Sequence, residues 1–271
     1  MPNAKDDMES IPHRFLAVGP IGTGKSTQAI TLPGKKFAYF FDPSGPRAVK
    51  GYDIDYEEFT PTKLNVTVTA RPKKENESLD MPPTPTQRIT AFAYAKWEEH
   101  FMRSLDDGFF DQYDTIIFDS ITTFADIGMD DVLARAGRTQ YPPEIGDYNV
   151  IKLQLSRTLR VLCALNKTLW VTGHTMFRQQ QDTHKLLNEI LITGDLQTRG
   201  PLLFSSVFLF DYEVTATGKK FYIQSVIDKF NLNLKSDIRN IKPKEEVTVT
   251  DWNESVIGKQ GIGRLIAKDV R

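Results

Sequence analysis

The chain has 271 residues, with 34 Lys and Arg against 35 Asp and Glu and a net charge of −1, so no global positive field marks it for nucleic acid or an anionic membrane. A single cysteine, Cys163, excludes an internal disulfide and a cysteine-based zinc site, and no apolar run is long enough to span a bilayer. The length suits one large α/β domain or two small ones, and the polar, acidic start from Met1 to Ile11 has no signal-peptide core, which reads as a protein of the cytosol or nucleus.

In chain order, Arg14 to Val18 reads as a short buried strand. It runs into Gly19-Pro20-Ile21-Gly22-Thr23-Gly24-Lys25-Ser26-Thr27, which fits the phosphate-binding pattern G-x-x-x-x-G-K-[ST]. Thr27 to Leu32 then predicts a helix stopped by Pro33-Gly34. The loop therefore stands between a strand and a helix, where its backbone N–H groups can face an anion. Gly19, Pro20, Gly22, Thr23, Gly24 and Thr27 form the cradle. Lys25 is placed for the β- and γ-phosphates of a nucleoside triphosphate, and the Ser26 hydroxyl for Mg²⁺. ATP and Mg²⁺ are the expected cofactors.

Lys36 to Phe41 is β-prone and ends in Asp42-Pro43-Ser44-Gly45, a strand followed by a turn. Two further β-prone stretches cover residues 53–59 and 65–69. Arg71 to Gln87, rich in Pro, Lys and Glu, cannot bury enough surface to order itself, and is read as a mobile insertion at about 70–88. Ile89, Phe92, Ala93, Trp97, Phe101 and Leu105 share a 3.6-residue period, predicting an amphipathic helix over 88–106. Phe92 and Ala95 also spell F-x-x-A, a pattern some recombinases use to join subunits, here inside a core-facing helix.

Tyr113 to Asp119 is a continuous apolar run closed by a carboxylate, the signature of a buried parallel strand. Asp119 is placed beside the phosphate loop to anchor Mg²⁺; the competing role is to cap a helix that begins near Thr122. Residues 146–166 predict a helix with Tyr148, Ile151, Leu155, Leu159 and Leu162 on one stripe, and Cys163 is read as a buried, inert thiol. Thr168 to Thr172 is a further central strand ending at Gly173-His174. Residues 176–199 turn polar and Gln-rich, with Arg178, Lys185 and Arg199, and 186–193 is read as a short hairpin arm within them. Phe208–Thr215 and Lys220–Ile227 predict a β-hairpin joined through residues 216–219, and the chain from Lys242 has no clear pattern. His13, His100 and His184 lack spaced partners for zinc. The fold expected is α/β, a mainly parallel sheet with helices on both faces and a C-terminal β-hairpin. Its organisation is a flexible 1–13, an ATPase domain over 14–240, and an extension over 241–271.

Three details narrow the phosphate-loop class. Asp119 is followed by Ser120 and not by glutamate, Asp42-Pro43-Ser44-Gly45 forms a second acidic turn, and Val171-Thr172-Gly173-His174 ends a core strand with a polar side chain. This pattern resembles the RecA-like ATPase core over roughly residues 14–240, and most of all the phage-encoded RecA-like proteins of the single-strand-annealing recombinase group. The resemblance implies Lys25, Asp42, Asp119 and His174 as catalytic groups, with His174 in the γ-phosphate sensor place. It also implies slow hydrolysis, because Ser44 stands where the family's water-activating glutamate would be and Asp42 is the nearest substitute. Residues 175–200 would be the mobile DNA-binding loop. Lys219-Lys220 and Lys235 to Arg239 would supply cations to a neighbour's nucleotide. The partners implied are single-stranded DNA and further copies of the chain in an oligomer, ring or filament, in the host cytoplasm for a phage protein. The alternative is a phosphate-loop motor or regulatory ATPase with a protein partner in phage replication or packaging. A small-molecule kinase, with Arg71 to Gln87 as lid, lacks the usual Arg-rich lid pattern.

Overall fold

A computed structural model describes residues 12–61, 93–139, 141–180 and 184–269, together with the backbone of 64–66 and 87–89. In chain order come β1 (Arg14–Val18), α1 (Lys25–Gln28), β2 (Lys36–Phe40), α2 (Gly45–Ala48), β3 (Ile54–Glu58), β4 (Leu64–Val66) and β5 (Gln87–Ile89). Next are α3 (Ala93–Asp106), β6 (Thr115–Asp119), α4 (Ile121–Arg135), α5 (Ile145–Ala164), β7 (Thr168–Gly173), β8 (Thr175–Gln179) and β9 (Leu186–Ile190). The chain closes with α6 (Leu196–Arg199), β10 (Ser206–Thr215), β11 (Gly218–Gln224), β12 (Lys244–Glu246), α7 (Glu254–Ile257) and α8 (Gly261–Lys268).

Eight strands form one sheet in the order β12-β11-β10-β1-β7-β6-β2-β3. The six from β10 to β3 run parallel, and β11 and β12 add an antiparallel edge. The central runs are apolar on both sides because both faces are covered. Alternation sorts β1 cleanly: Leu16 and Val18 enter the core with α3, α4 and α5, while Phe15 and Ala17 enter the core with Ala29 and Ile30 after α1 and with α7 and α8. The expected α/β architecture is the one observed.

Several local readings are corrected. The first helix starts two residues early, at Lys25, and after Gln28 tightens into a 3₁₀ turn over Ala29–Thr31. Residues 88 and 89, expected to open the helix over 88–106, instead join Gln87 in pairing with Leu64–Val66 as a two-stranded ladder, and the helix begins at Ala93. Cross-strand pairing outweighs helical periodicity at Ile89, which is opposite Leu64. Residues 67–86, most of the expected insertion, lie outside the described residues, as does Phe92 of the F-x-x-A pattern. On α5, Ile151, Leu155, Leu159 and Leu162 are buried as predicted, but Tyr148 is exposed. The chain from Lys242 supplies β12, α7 and α8, and Val247, Val249, Ile257, Ile262 and Leu265 are buried against the phosphate-loop side of the sheet. Among the described residues no helix is long and apolar enough to cross a membrane.

Candidate nucleotide site

The parallel strands end together, and ligands of such sheets lie beyond their carboxyl ends. There β1 gives way to the Gly19–Ser26 loop, β2 to Asp42, β6 to Asp119 and β7 to His174. The strand carrying Asp119 is not next to the phosphate-loop strand, as the sequence reading had it: β7 lies between β1 and β6. The strand that ends at His174 is therefore flanked by the phosphate-loop strand on one side and the Asp119 strand on the other.

Two glycines make the loop possible. Gly19 has φ +148°, and a Cβ there would stand 2.5 Å from the Phe210 carbonyl oxygen. Gly24, at φ +86°, meets the Phe221 ring of β11. No other residue fits such conformations without strain. The loop is tied down by Gly19 N–H donating to the Gly173 carbonyl at 3.2 Å. Trp170 Nε1 donates to the Lys25 carbonyl, also at 3.2 Å. Beneath the helix, Gln28 Nε2 donates to the Val247 carbonyl at 2.7 Å, and its Oε1 accepts from Ile262 N–H at 3.0 Å. Thr31 Oγ1 accepts from Gly263 N–H at 3.1 Å. The C-terminal segment is thus bolted to the helix that carries Lys25. None of these anchors was legible from the motif, because each reaches across the chain.

Lys25 is buried, and its ammonium donates to the carbonyls of Gly19 and Pro20 at 2.9 and 2.7 Å. Burial lowers its pKa to about 8, against the pull of Asp119 and Asp42. Asp119 is buried. Its Oδ1 accepts from the Thr172 hydroxyl of the neighbouring strand, Oδ2 has no hydrogen-bond partner among the described residues, and the Ser26 hydroxyl lies near the carboxyl group. Burial raises its pKa; the Ser26 and Thr172 hydroxyls and Lys25 oppose that, and Asp42 reinforces it. The helix-capping alternative for Asp119 is not what the geometry shows: Ser120 is the N-cap of α4 and accepts from Thr123 N–H at 3.3 Å. An orphaned buried carboxylate oxygen beside a hydroxyl is the oxygen-rich donor set that Mg²⁺ prefers, so Ser26 and Asp119 fit the cation expected of them.

Asp42 Oδ1 accepts from the Thr123 hydroxyl at 2.5 Å. The backbone fixes Asp42 relative to Asp119, since Phe41 N–H donates to the Asp119 carbonyl at 2.8 Å. Ser44 is exposed at the entry to α2. Asp126 lies one turn along α4 from Thr123, its pKa raised by partial desolvation and by Asp42. His174 N–H donates to Thr122 Oγ1 at 3.0 Å, and its Nδ1 is buried without a hydrogen-bond partner. Burial and then Lys25 hold its pKa low, against Asp42 and Asp119. A neutral ring beside Lys25 can donate one hydrogen bond without adding a second charge. Thr123 and Thr172 were missed in the sequence. A hydroxyl closing an otherwise apolar strand, as in Leu169-Trp170-Val171-Thr172, was the signal for the second.

The polar stretch after His174 is not an irregular loop. β8 and β9 pair antiparallel from Thr175↔Ile190 to Gln179↔Leu186, so the arm starts at residue 175 and not at 186. Arg178 lies on β8, and Lys185 immediately precedes β9. Arg199 is on α6 and pairs with Asp195 at 3.2 Å. The other hairpin has a tighter turn than expected, with β11 starting at Gly218 and ending at Gln224, three residues short of the expected Ile227. Its Lys219 lies 4.2 Å over the Tyr212 ring and Lys220 pairs with Glu246 at 3.4 Å. Lys235 bridges to Val207 through its backbone, and Arg239 N–H donates to Asp269.

No curated protein matches the chain. Among solved structures it is similar to a KaiC-like protein from the hyperthermophilic archaeon Pyrococcus horikoshii, with 12% identity over 88% of this chain and 85% of that one and a TM-score of 0.42. It is also similar to the flagellar accessory protein FlaH from Methanocaldococcus jannaschii, with 12% identity over 89% and 87% and a TM-score of 0.37. A family profile described as an AAA domain matches residues 11–202, well over half of the chain. With the Gly19–Ser26 loop, Asp119 and His174 inside that span, the chain belongs to the AAA domain family.

Proposed function

We propose that the protein is a magnesium-dependent, slowly hydrolysing ATPase of the RecA-like kind that acts on single-stranded DNA in recombination or annealing and works as an oligomer. Membership of the AAA domain family supports the use of ATP. Lys25 then neutralises the β- and γ-phosphates, and Ser26 with Asp119 holds Mg²⁺, which when bound offsets the charge of the transferring phosphoryl group. Asp42 is the carboxylate best disposed to take a proton from water: Thr123 fixes one of its oxygens and the other is left to act. Ser44 has no basic group to offer, so turnover is expected below the median enzyme value of about 10 s⁻¹.

The observation that carries the DNA reading is continuity. The β8–β9 arm leaves the sheet one residue after His174, and Leu191 N–H returns to the His174 carbonyl at 2.7 Å. A shift at the γ-phosphate sensor therefore moves the root of an exposed arm bearing Arg178. The test is a filter-binding titration of single- against double-stranded DNA, with and without ATP and Mg²⁺. ATP-dependent preference for single strands is expected. No binding to either form refutes the reading and favours an ATPase with a protein partner. One feature supports that second reading: Val150, Leu153 and Val161 form an exposed apolar stripe along α5, with Ile145 at its start.

A further inference from the structure

The β8–β9 arm carries an aromatic ring that the folding of the chain does not use. Phe177 is 58% exposed, although it sits in a regular antiparallel ladder opposite Asn188. Its ring neighbour among the described residues is Phe230, at 6.1 Å between centroids and 90° between planes. A perpendicular pair leaves at least one face of each ring uncovered by the other. Isolated exposed phenylalanines are common and mean little. Here the second ring is held in place by a dedicated turn.

Asp228 Oδ1 accepts from the N–H groups of Phe230 and Asn231, both at 2.7 Å, and its Oδ2 accepts from Gln224 Nε2 at 2.8 Å. Asn188 on β9 then clamps the turn to the arm, with its N–H donating to the Phe230 carbonyl at 2.8 Å and its Nδ2 to Asn231 Oδ1 at 3.1 Å. Arm and turn are joined through the backbone of the residue opposite Phe177. The cation beside the rings is Lys229, whose Nζ lies 4.7 Å over the Phe230 ring, and Arg178 and Lys185 are exposed elsewhere on the arm. Open aromatic faces with flanking cations bind single strands, since unpaired bases offer π-faces that a duplex keeps stacked.

We infer that Phe177 and Phe230 form a stacking platform for the bases of single-stranded DNA, with Lys229 serving the phosphates. The inference rests on the single-strand reading above and adds the residues that carry the base contacts. Because the arm's root is hydrogen-bonded to His174, the platform belongs to the element that nucleotide binding would shift.

Fluorescence anisotropy of the full chain, with a non-hydrolysable ATP analogue and Mg²⁺, tests this with a labelled oligo-dT and an abasic sugar-phosphate strand of equal length. Wild type should prefer oligo-dT. Phe177→Ala and Phe230→Ala should each lose about fivefold to a hundredfold in oligo-dT affinity, with abasic binding and salt slope unchanged. Phe177→Trp should retain the preference, and Lys229→Ala should make the salt slope shallower by about 0.7. Phe177 is exposed, so its alanine variant tests the platform even should Phe230→Ala disturb the turn. If wild type binds both strands equally, or Phe177→Ala binds oligo-dT like wild type, the platform is refuted while the single-strand reading stands. If Phe177→Ala instead dissociates an oligomer in sedimentation and keeps the oligo-dT preference, the rings join copies of the chain and the inference fails. No binding of either strand by wild type overturns the proposed function itself.

Discussion

Lys25 should make nucleotide affinity pH-dependent in a range where few proteins show it. Its pKa is lowered to about 8 by burial. A triphosphate arriving within the loop restores the advantage of the charged form, so binding takes up a proton wherever free Lys25 is neutral. At pH 7 about nine-tenths of the free protein carries the charge, and at pH 9 only about one-tenth does, which predicts nearly tenfold weaker binding at pH 9 than at pH 7. The limb should approach one decade per pH unit above 8. Because Mg-ATP is already fully ionised there, the ligand contributes no slope of its own. Isothermal calorimetry with a non-hydrolysable analogue, run in buffers of different ionisation enthalpy, reads both the affinity and the proton uptake. Lys25→Arg supplies the control, since a guanidinium stays charged throughout; its binding should be weaker but flat with pH. A wild-type affinity that is constant to pH 9.5, or a Lys25→Arg profile that falls in parallel, would refute the argument.

Asp119→Asn should separate stability from catalysis. The carboxyl's pKa is raised by burial above its unfolded value, so the folded state holds its proton more tightly and stability is lost as pH rises through the folded value. The variant should therefore melt at or above wild type at pH 7, with the gain shrinking in acid, while Mg²⁺-dependent turnover falls by about two orders of magnitude or more. A variant that melts lower and keeps its Mg²⁺ dependence would remove Asp119 from the metal site. Gln28→Leu leaves the Val247 carbonyl and the Ile262 N–H without their partner. At about 1–3 kcal/mol for each buried orphan, urea unfolding should report a loss of roughly 2–6 kcal/mol. A loss well under that range would mean that the C-terminal segment does not brace the phosphate-loop helix.

What the sequence made legible follows the range over which each signal acts. The phosphate loop is written in eight consecutive residues, and Asp119 and His174 each close an apolar run, so local pattern located all three. The strands were legible for the same reason, being short runs buried on both faces. Ile89 was misread because periodicity does not see a partner strand, and Leu64 lies 25 residues upstream. Tyr148 was misread because its position on the apolar stripe falls at the first turn of α5, where the helix end leaves it exposed. The polar composition after His174 suggested a loose loop, yet ten residues pair in register there with most of β8 exposed. A two-stranded arm that projects from a sheet needs no apolar alternation, and so gives none.

The site itself is shaped by contacts that no single motif contains. Asp42 and Asp119 end neighbouring strands, and each has one oxygen held by a threonine hydroxyl from another element: Thr123 of α4 for the first and Thr172 of β7 for the second. Each threonine fixes a carboxylate's orientation without adding charge, so both acids can act on one small volume beside a buried lysine. Two negative groups and one cation in a desolvated pocket form an unfavourable arrangement in isolation, as the raised pKa of Asp119 and the lowered pKa of Lys25 record. Such strain persists only where surrounding structure enforces it. Here that enforcement comes from Trp170 on the Lys25 carbonyl and from Gln28 and Thr31 locked to the C-terminal helix. The tail of the chain therefore lies on the same thermodynamic path as its first loop, and phosphates with a divalent cation are the ligands that would relieve both acids and lysine at once.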